Sequence, residues 1–186
     1  MNTEAAKREI EEILKKGKLQ NSELEKLIDI LQNASNNRNM QKEWITIAGE
    51  NQDNFIKDEK FEYAWKPRNA DGYSYYASNY GRIKLAKNEN DLKNEKFIII
   101  KNGYLVNTNV PCTVSEYTDI YYFISYAFRD YKELKLSETL IKNNYPQDNF
   151  NNRMELHHIN NNPNDNRLIN LIYLPKFIHA KAHKYA

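Results

Sequence analysis

The sequence predicts an α+β protein: an N-terminal helical hairpin, then a small mixed α/β module, then a strand, a second strand and a helix that close the chain. Three observations predict this. Residues 3–31 place apolar side chains at helical spacing. Residues 63–106 hold short aromatic and β-branched runs broken by glycine-containing turns. From Met154 onward, two apolar runs flank an asparagine-rich loop and lead into a helix-forming segment. The segments are 1–35 (helical hairpin), 36–62 (linker with one short strand), 63–145 (the α/β module) and 146–186 (the closing motif).

Thr3 to Lys16 carries Ile10, Ile13 and Leu14 on one face and ends near Gly17. Ser22 and Glu25 have the spacing of a capping box for a second helix, with Leu24, Leu27, Ile28 and Leu31 as its apolar stripe. The pair reads as a helical hairpin with an acidic surface. It packs on the rest of the chain, self-associates or docks another protein, and its charge argues against a phosphate backbone as its partner. Ala34 to Gln41 is polar and asparagine-rich and reads as a linker, and Trp44 to Ala48 as a short strand or an anchor for it.

In the module, Asn79 to Gly81 is a turn between two strands. Arg82, Lys84, Tyr75, Tyr76 and Tyr80 then offer cations and flat faces suited to a sugar-phosphate strand or base edges, although tyrosine-rich strands also serve as half-buried sheet. Asn102-Gly103 between Phe97–Ile100 and Tyr104–Val106 is the strongest hairpin signal in the chain. Asp119 caps a helix through Phe128, with Ile120, Phe123, Ile124, Ala127 and Phe128 inward. Lys132 to Asn144 is a further polar helix or loop, closed by Tyr145-Pro146.

All four histidines fall in the closing motif. Met154 to Ile159 reads as a strand, so His157 and His158 point to opposite faces and do different jobs. Leu168 to Leu174 pairs back as a hairpin, and after Pro175 the run Lys176 to Tyr185 is helical, with His179 and His183 one turn apart on one face. An isolated surface pair of this kind is usually only solvated. With a third imidazole supplied by the strand, it becomes a three-nitrogen set with open positions, as a catalytic metal centre requires.

Glu155 to His183, with Asn170 nine residues before His179 and His183 four beyond it, resembles the His-Asn-His (HNH) endonucleases, whose ββα-metal fold holds one divalent cation. The resemblance implies that His157, His179 and His183 are metal ligands, that His158 is the general base, and that Asn170 holds the hairpin loop and orients the base. Glu155 is then a partner that orients His157 or a nearby arginine, or an ordinary exposed carboxylate. Arg153, Arg167 and Lys181 are candidates to neutralise the scissile phosphate. The Glu-Leu-His-His sequence is similar to the colicin-type nuclease toxins, and three imidazoles favour zinc or nickel over magnesium, with manganese also compatible. Trp65 and Ser78-Asn79-Tyr80-Gly81-Arg82-Ile83 resemble the nuclease-associated modular motif found beside HNH domains in phage and intron-encoded homing endonucleases. On this module Arg82 and Lys84 are the candidate DNA contacts, with a half-buried supporting sheet as the other reading. Where those enzymes begin a later helix with a His-Arg pair, Tyr121 and Tyr122 stand here, which removes two cations from that helix.

Composition sets outer bounds. A net charge of +2 over 186 residues neither demands nor excludes a nucleic acid, since binding can rest on a local patch. No apolar run approaches the roughly 20 residues that cross a bilayer, so no membrane role is expected. The acidic, helical opening lacks the order of a signal peptide, and the single cysteine, Cys112, can form no internal disulfide; a reducing cytosol is the expected setting. The expected activity is metal-dependent hydrolysis of DNA phosphodiesters by a phage or mobile-element endonuclease. A nuclease toxin or anti-phage effector with the same centre is the neighbouring alternative. A zinc module that binds without cutting is the alternative of another class, and it would need a fourth ligand where this chain has a separate His158.

Overall fold

The computed structural model describes residues 1–48, 54–66, 71–101, 104–106, 120–128, 139, 142–143 and 154–183. The protein is α+β, with two antiparallel sheets, and its chain divides into two compact units. Met1–Lys42, Asp130–Asn162 and Ile169–Ala186 make the first; Glu43–Arg129 and Pro163–Leu168 make the second. Among the described residues no helix is long and apolar enough to cross a membrane.

The first unit begins with α1 (Thr3–Leu14) and α2 (Asn21–Ser35). Asn2 caps α1 by accepting from the Ala5 amide at 2.8 Å, and Gly17, at φ +69°, turns the chain out of it. The start of α2 differs from the Ser22/Glu25 expectation. Glu23 reaches back to accept from the Gln20 amide at 2.9 Å, so the helix begins two residues early and its buried stripe becomes Leu27, Ile30, Leu31 and Ala34, with Leu24 and Ile28 half-buried. A further helix, α3 (Arg38–Ala48), replaces the expected linker and short strand. The reason is local: the Asn37 side chain accepts from the Asn39 and Met40 amides at 3.1 and 3.2 Å, and Met40 and Trp44, four residues apart, are both buried.

Among its described residues the first unit also holds a hairpin of β6 (Met154–His158) and β7 (Leu171–Pro175), followed directly by α5 (Lys176–His183). Ile159, Ile172, Leu174, Ile178 and Ala182 from this part share one core with Ile10, Leu14, Leu27 and Leu31 of the N-terminal helices. The helical hairpin is therefore no separate layer. Two short elements with little apolar surface of their own bury it jointly.

In the second unit, β1 (Phe61–Trp65), β2 (Ser74–Ser78), β3 (Ile83–Ala86), β4 (Phe97–Lys101) and β5 (Tyr104–Val106) form an antiparallel sheet in chain order. Lys101 pairs with Tyr104 across the expected turn, whose Asn102 and Gly103 lie outside the described residues. Helix α4 (Ile120–Phe128) packs on β1 and β2; its expected cap, Asp119, lies outside the described residues, as do Cys112 and Tyr145-Pro146. A bulge between Tyr63 and Trp65 re-aims Trp65 so that it stacks on Tyr75 at 5.9 Å and 8° and meets Phe123.

The turn after β2 is pinned by its own side chains. Ser78 Oγ accepts from the Tyr80 and Arg82 amides, Asn79 Oδ1 accepts from the Lys60 amide at 2.8 Å, and the Asn79 carbonyl accepts from the Leu168 amide at 3.0 Å. Gly81 holds φ +79°, and a Cβ there would lie 2.4 Å from the Asn166 carbonyl carbon. Gly81→Ala is therefore expected to cost more than Gly72→Ala, where φ is +88° but nothing lies within 4 Å of the added carbon. The Gly72 variant carries only the left-handed backbone penalty of about 1–2 kcal/mol; urea unfolding of both checks the order.

Candidate metal centre

Strand alternation and a directly following helix build the site. In β6, Glu155 and His157 face one way and Leu156 and His158 the other, while His157 pairs with Ile172 and His158 with Leu171 of β7. The face bearing Glu155 and His157 meets the α5 face bearing His179 and His183. One ring nitrogen from each of His157, His179 and His183 lies within 4.8 Å of the others, and the three rings stand nearly perpendicular in pairs, with centroids 4.6–5.0 Å apart. These three are close enough to hold one metal ion.

The tautomers follow from the partners. His179 Nδ1 lies 2.5 Å from Glu155 Oε2, so that nitrogen carries the proton and Nε2 is left as the lone-pair donor. His183 Nε2 sits 3.1 Å from His179 Nε2. In a neutral pair those atoms share a proton donated by His183; around an ion with bonds of about 2.0–2.1 Å, two tetrahedral ligand atoms stand about 3.3 Å apart. His157 is only 2% exposed, and its Nε2 is buried with no hydrogen-bond partner. A ring nitrogen kept dry and unmatched beside two others is what a ligand needs and what an ordinary core histidine avoids. The donor set thus fits one metal ion.

Electrostatics favour the neutral, coordinating forms. Burial holds the His157 imidazole well below its ordinary value, and the neighbouring His179, His183 and His158 add to the effect. His183 is lowered by desolvation first and by His179 next, with Glu155 opposing.

Glu155 pairs with His179, whereas the sequence suggested His157 or an arginine as its partner. Residues two apart on a strand point the same way about 6.6 Å from each other, so the carboxylate reaches the facing helix instead of its neighbour. Asn170 is fully buried: its Oδ1 accepts from the Asn160 amide at 3.0 Å, its Nδ2 donates to Asn160 Oδ1 at 2.9 Å, and its carbonyl accepts from the Ile159 amide at 2.8 Å. His158, on the other strand face, is half-buried. Sequence reasoning passed over Asn160, and its signal was only that it lies ten residues from Asn170 in a chain rich in asparagine.

The candidate phosphate contacts fare differently. Lys181 is exposed on α5, and Arg153 lies outside the described residues. Arg167 is 1% exposed, forked onto Asp165 at 2.7 Å through both Nε and Nη2, and bonded to Glu43 at 2.9 Å. Arg82 is 2% exposed; both arms of its fork hold Glu59, Nη1 donates to the Asn54 carbonyl at 2.8 Å, and its guanidinium lies 3.9 Å over Phe97. Lys84 is half-buried, with Nζ donating to the Leu92 carbonyl at 2.8 Å, and burial pushes its ammonium below the ordinary value. Tyr75 and Tyr76 are buried as well. A carboxylate satisfies the same guanidinium fork as a phosphate, which is why the sequence pointed outward and the fold turned these groups inward. Among the described residues of this unit, Tyr63, Trp65, Tyr122 and Tyr126 are instead exposed along a groove of about 380 Å³ between β1 and α4, and Phe55 is exposed apart from it.

No known protein family, curated protein or solved structure matches the chain at a significant level.

Two expectations follow. Arg82→Met leaves Glu59 charged in a buried place and is expected to cost about 3–5 kcal/mol, most of it recovered in the Arg82→Met/Glu59→Leu double variant. Denaturant melts of the two singles and the double check this. Separately, the unfolded chain protonates His157 near 6.5 and the folded chain only at lower pH, so the stability tied to neutral His157 is present above 6.5 and lost as pH falls through that value toward the folded one. Metal-free protein is expected to lose up to about 1.4 kcal/mol per pH unit for this proton, and His157→Leu to flatten that limb in urea unfolding across pH.

Proposed function

We propose that this chain is a metal-dependent endonuclease of the HNH kind, hydrolysing DNA phosphodiester bonds at the centre formed by β6, β7 and α5. The carrying observation is the convergence of His157, His179 and His183 with His158 turned to the opposite strand face. Among the described residues this cluster offers three ligands, which leaves a metal position open to water and substrate. That favours a catalytic over a structural zinc site.

In this reading each residue has one task. Burial keeps His157 neutral, and Glu155 fixes the tautomer of His179 so that its Nε2 points inward. His158 accepts a proton from water as the water oxygen forms its bond to phosphorus and the bond from phosphorus to the 3′ oxygen breaks in line. His157, His179 and His183 would hold a divalent cation, which would supply Lewis-acid charge for the phosphate. The products carry 5′-phosphate and 3′-hydroxyl ends. With Arg82, Arg167 and Lys84 engaged inside the fold, Lys181 remains the described candidate for a phosphate contact. A phage or mobile-element enzyme and a nuclease toxin or anti-phage effector share all of this chemistry, and zinc or nickel suits the ligands better than magnesium.

The test is nicking of supercoiled plasmid across zinc, nickel, manganese and magnesium, with calorimetric affinities for each ion. Wild-type protein is expected to cut, and zinc or nickel to bind more tightly than magnesium. His158→Ala should lower cleavage by roughly 10²–10⁴-fold while metal affinity and melting temperature hold. Full activity in that variant removes His158 from the chemistry, and a wild type that fails to cut with any of the four ions overturns the nuclease reading.

A further inference from the structure

The chain leaves β6 immediately after His158, and the geometry of the next four residues ties that exit to α3. Asn161 N–H donates to the His158 carbonyl at 2.9 Å, with Asn161 itself at φ +55°. Asn160 is fully buried, and both ends of its amide are used: Oδ1 accepts from the Asn162 amide at 3.0 Å and from Asn170 Nδ2 at 2.9 Å, while Nδ2 donates to the Met40 carbonyl at 3.0 Å. Asn162 Nδ2 donates to the next carbonyl, Gln41, at 2.9 Å. Alternate residues of the loop therefore grip consecutive carbonyls in the first turn of α3. That turn is itself fixed by Asn37, and by Gln41 Nε2 donating to the Ser35 carbonyl at 2.5 Å.

We infer that Asn160 and Asn162 are positioning residues through which the first turn of α3 sets the placement of His158. The inference rests on the reading of His158 as the general base. Asn170 holds the loop from within its own hairpin; Asn160 and Asn162, in the loop, tie it to the first turn of α3. The residue type at 160 is constrained, because the site needs one oxygen for two donors and one N–H for a carbonyl, which asparagine supplies and aspartate does not. A base must stand within hydrogen-bond reach of its water, and a misplacement of about 1 Å costs on the order of 10²-fold in rate. None of the metal-binding rings touches α3 through these bonds, so loosening them acts on the base and leaves the ion.

Two variants test this. Asn160→Asp keeps the acceptor for Asn162 and Asn170 but sets an oxygen against the Met40 carbonyl; Asn162→Ala removes the grip on Gln41 and serves if the first fails to fold. Plasmid nicking is expected to show kcat lowered roughly 100-fold and 10-fold respectively, with KM for DNA and the calorimetric zinc Kd within about twofold of wild type. Full kcat in both variants overturns the inference. A joint change of kcat, KM and zinc Kd overturns it too, since that marks general loss of structure. If the wild type itself cuts nothing with any ion, the nuclease reading has failed, an outcome visible in the wild-type lane before either variant is run.

Discussion

His157 places a polar ring in a nearly dry site and leaves its Nε2 without a hydrogen-bond partner. Such a group costs about 1–3 kcal/mol wherever it stays unmatched. The surroundings are arranged around that cost. Ile172 and Leu174 of β7 and Ile178 and Ala182 of α5 carry the apolar burial beside it, and Glu155 takes up the outer nitrogen of His179. The same desolvation that penalises a charged imidazole favours the neutral form a metal requires. Stability spent on His157 and the capacity to hold a cation are one feature seen from two sides.

That small hairpin and helix could not bury such a site by themselves. The ββα element contributes few large apolar side chains, and the core closes only when Ile10, Leu14, Leu27 and Leu31 pack against it. Polar contacts run in parallel with the apolar ones. Asn160 and Asn162 bond to consecutive carbonyls of α3, and Asn170 bonds to Asn160 from the opposite side. The N-terminal helices are thus part of the scaffold of the candidate centre, with both packing and hydrogen bonds joining them to it.

In the second unit, four positions of one motif build a turn. In Ser78-Asn79-Tyr80-Gly81-Arg82, the hydroxyl closes the turn, the Asn79 amide joins the chain near Lys60, the missing Cβ of Gly81 admits the Asn166 backbone, and the guanidinium is consumed by Glu59. A buried, forked arginine of this kind specifies a local arrangement more than it adds stability. Residues 163–168 receive the same treatment, with Arg167 held between Asp165 and Glu43.

The sequence by itself determined the α+β class, the apolar stripe of α1, the strand that separates His157 from His158, and the helical spacing of His179 and His183. Each is a matter of period: 3.6 residues per turn and two per pleat are written into neighbouring positions. It misplaced α3 because an Asn-rich stretch reads as linker until Asn37 is seen capping and Met40 and Trp44 are seen buried. What only the tertiary structure decided were partners far apart in the chain. Glu155 found His179, Arg82 found Glu59, Arg167 found Glu43, and Asn160 found both Asn170 and Met40. A charged or amide side chain carries the same hydrogen-bonding chemistry toward a protein group, a phosphate or water. Local sequence says what it can bind, and only the fold says which of these stands within 3 Å.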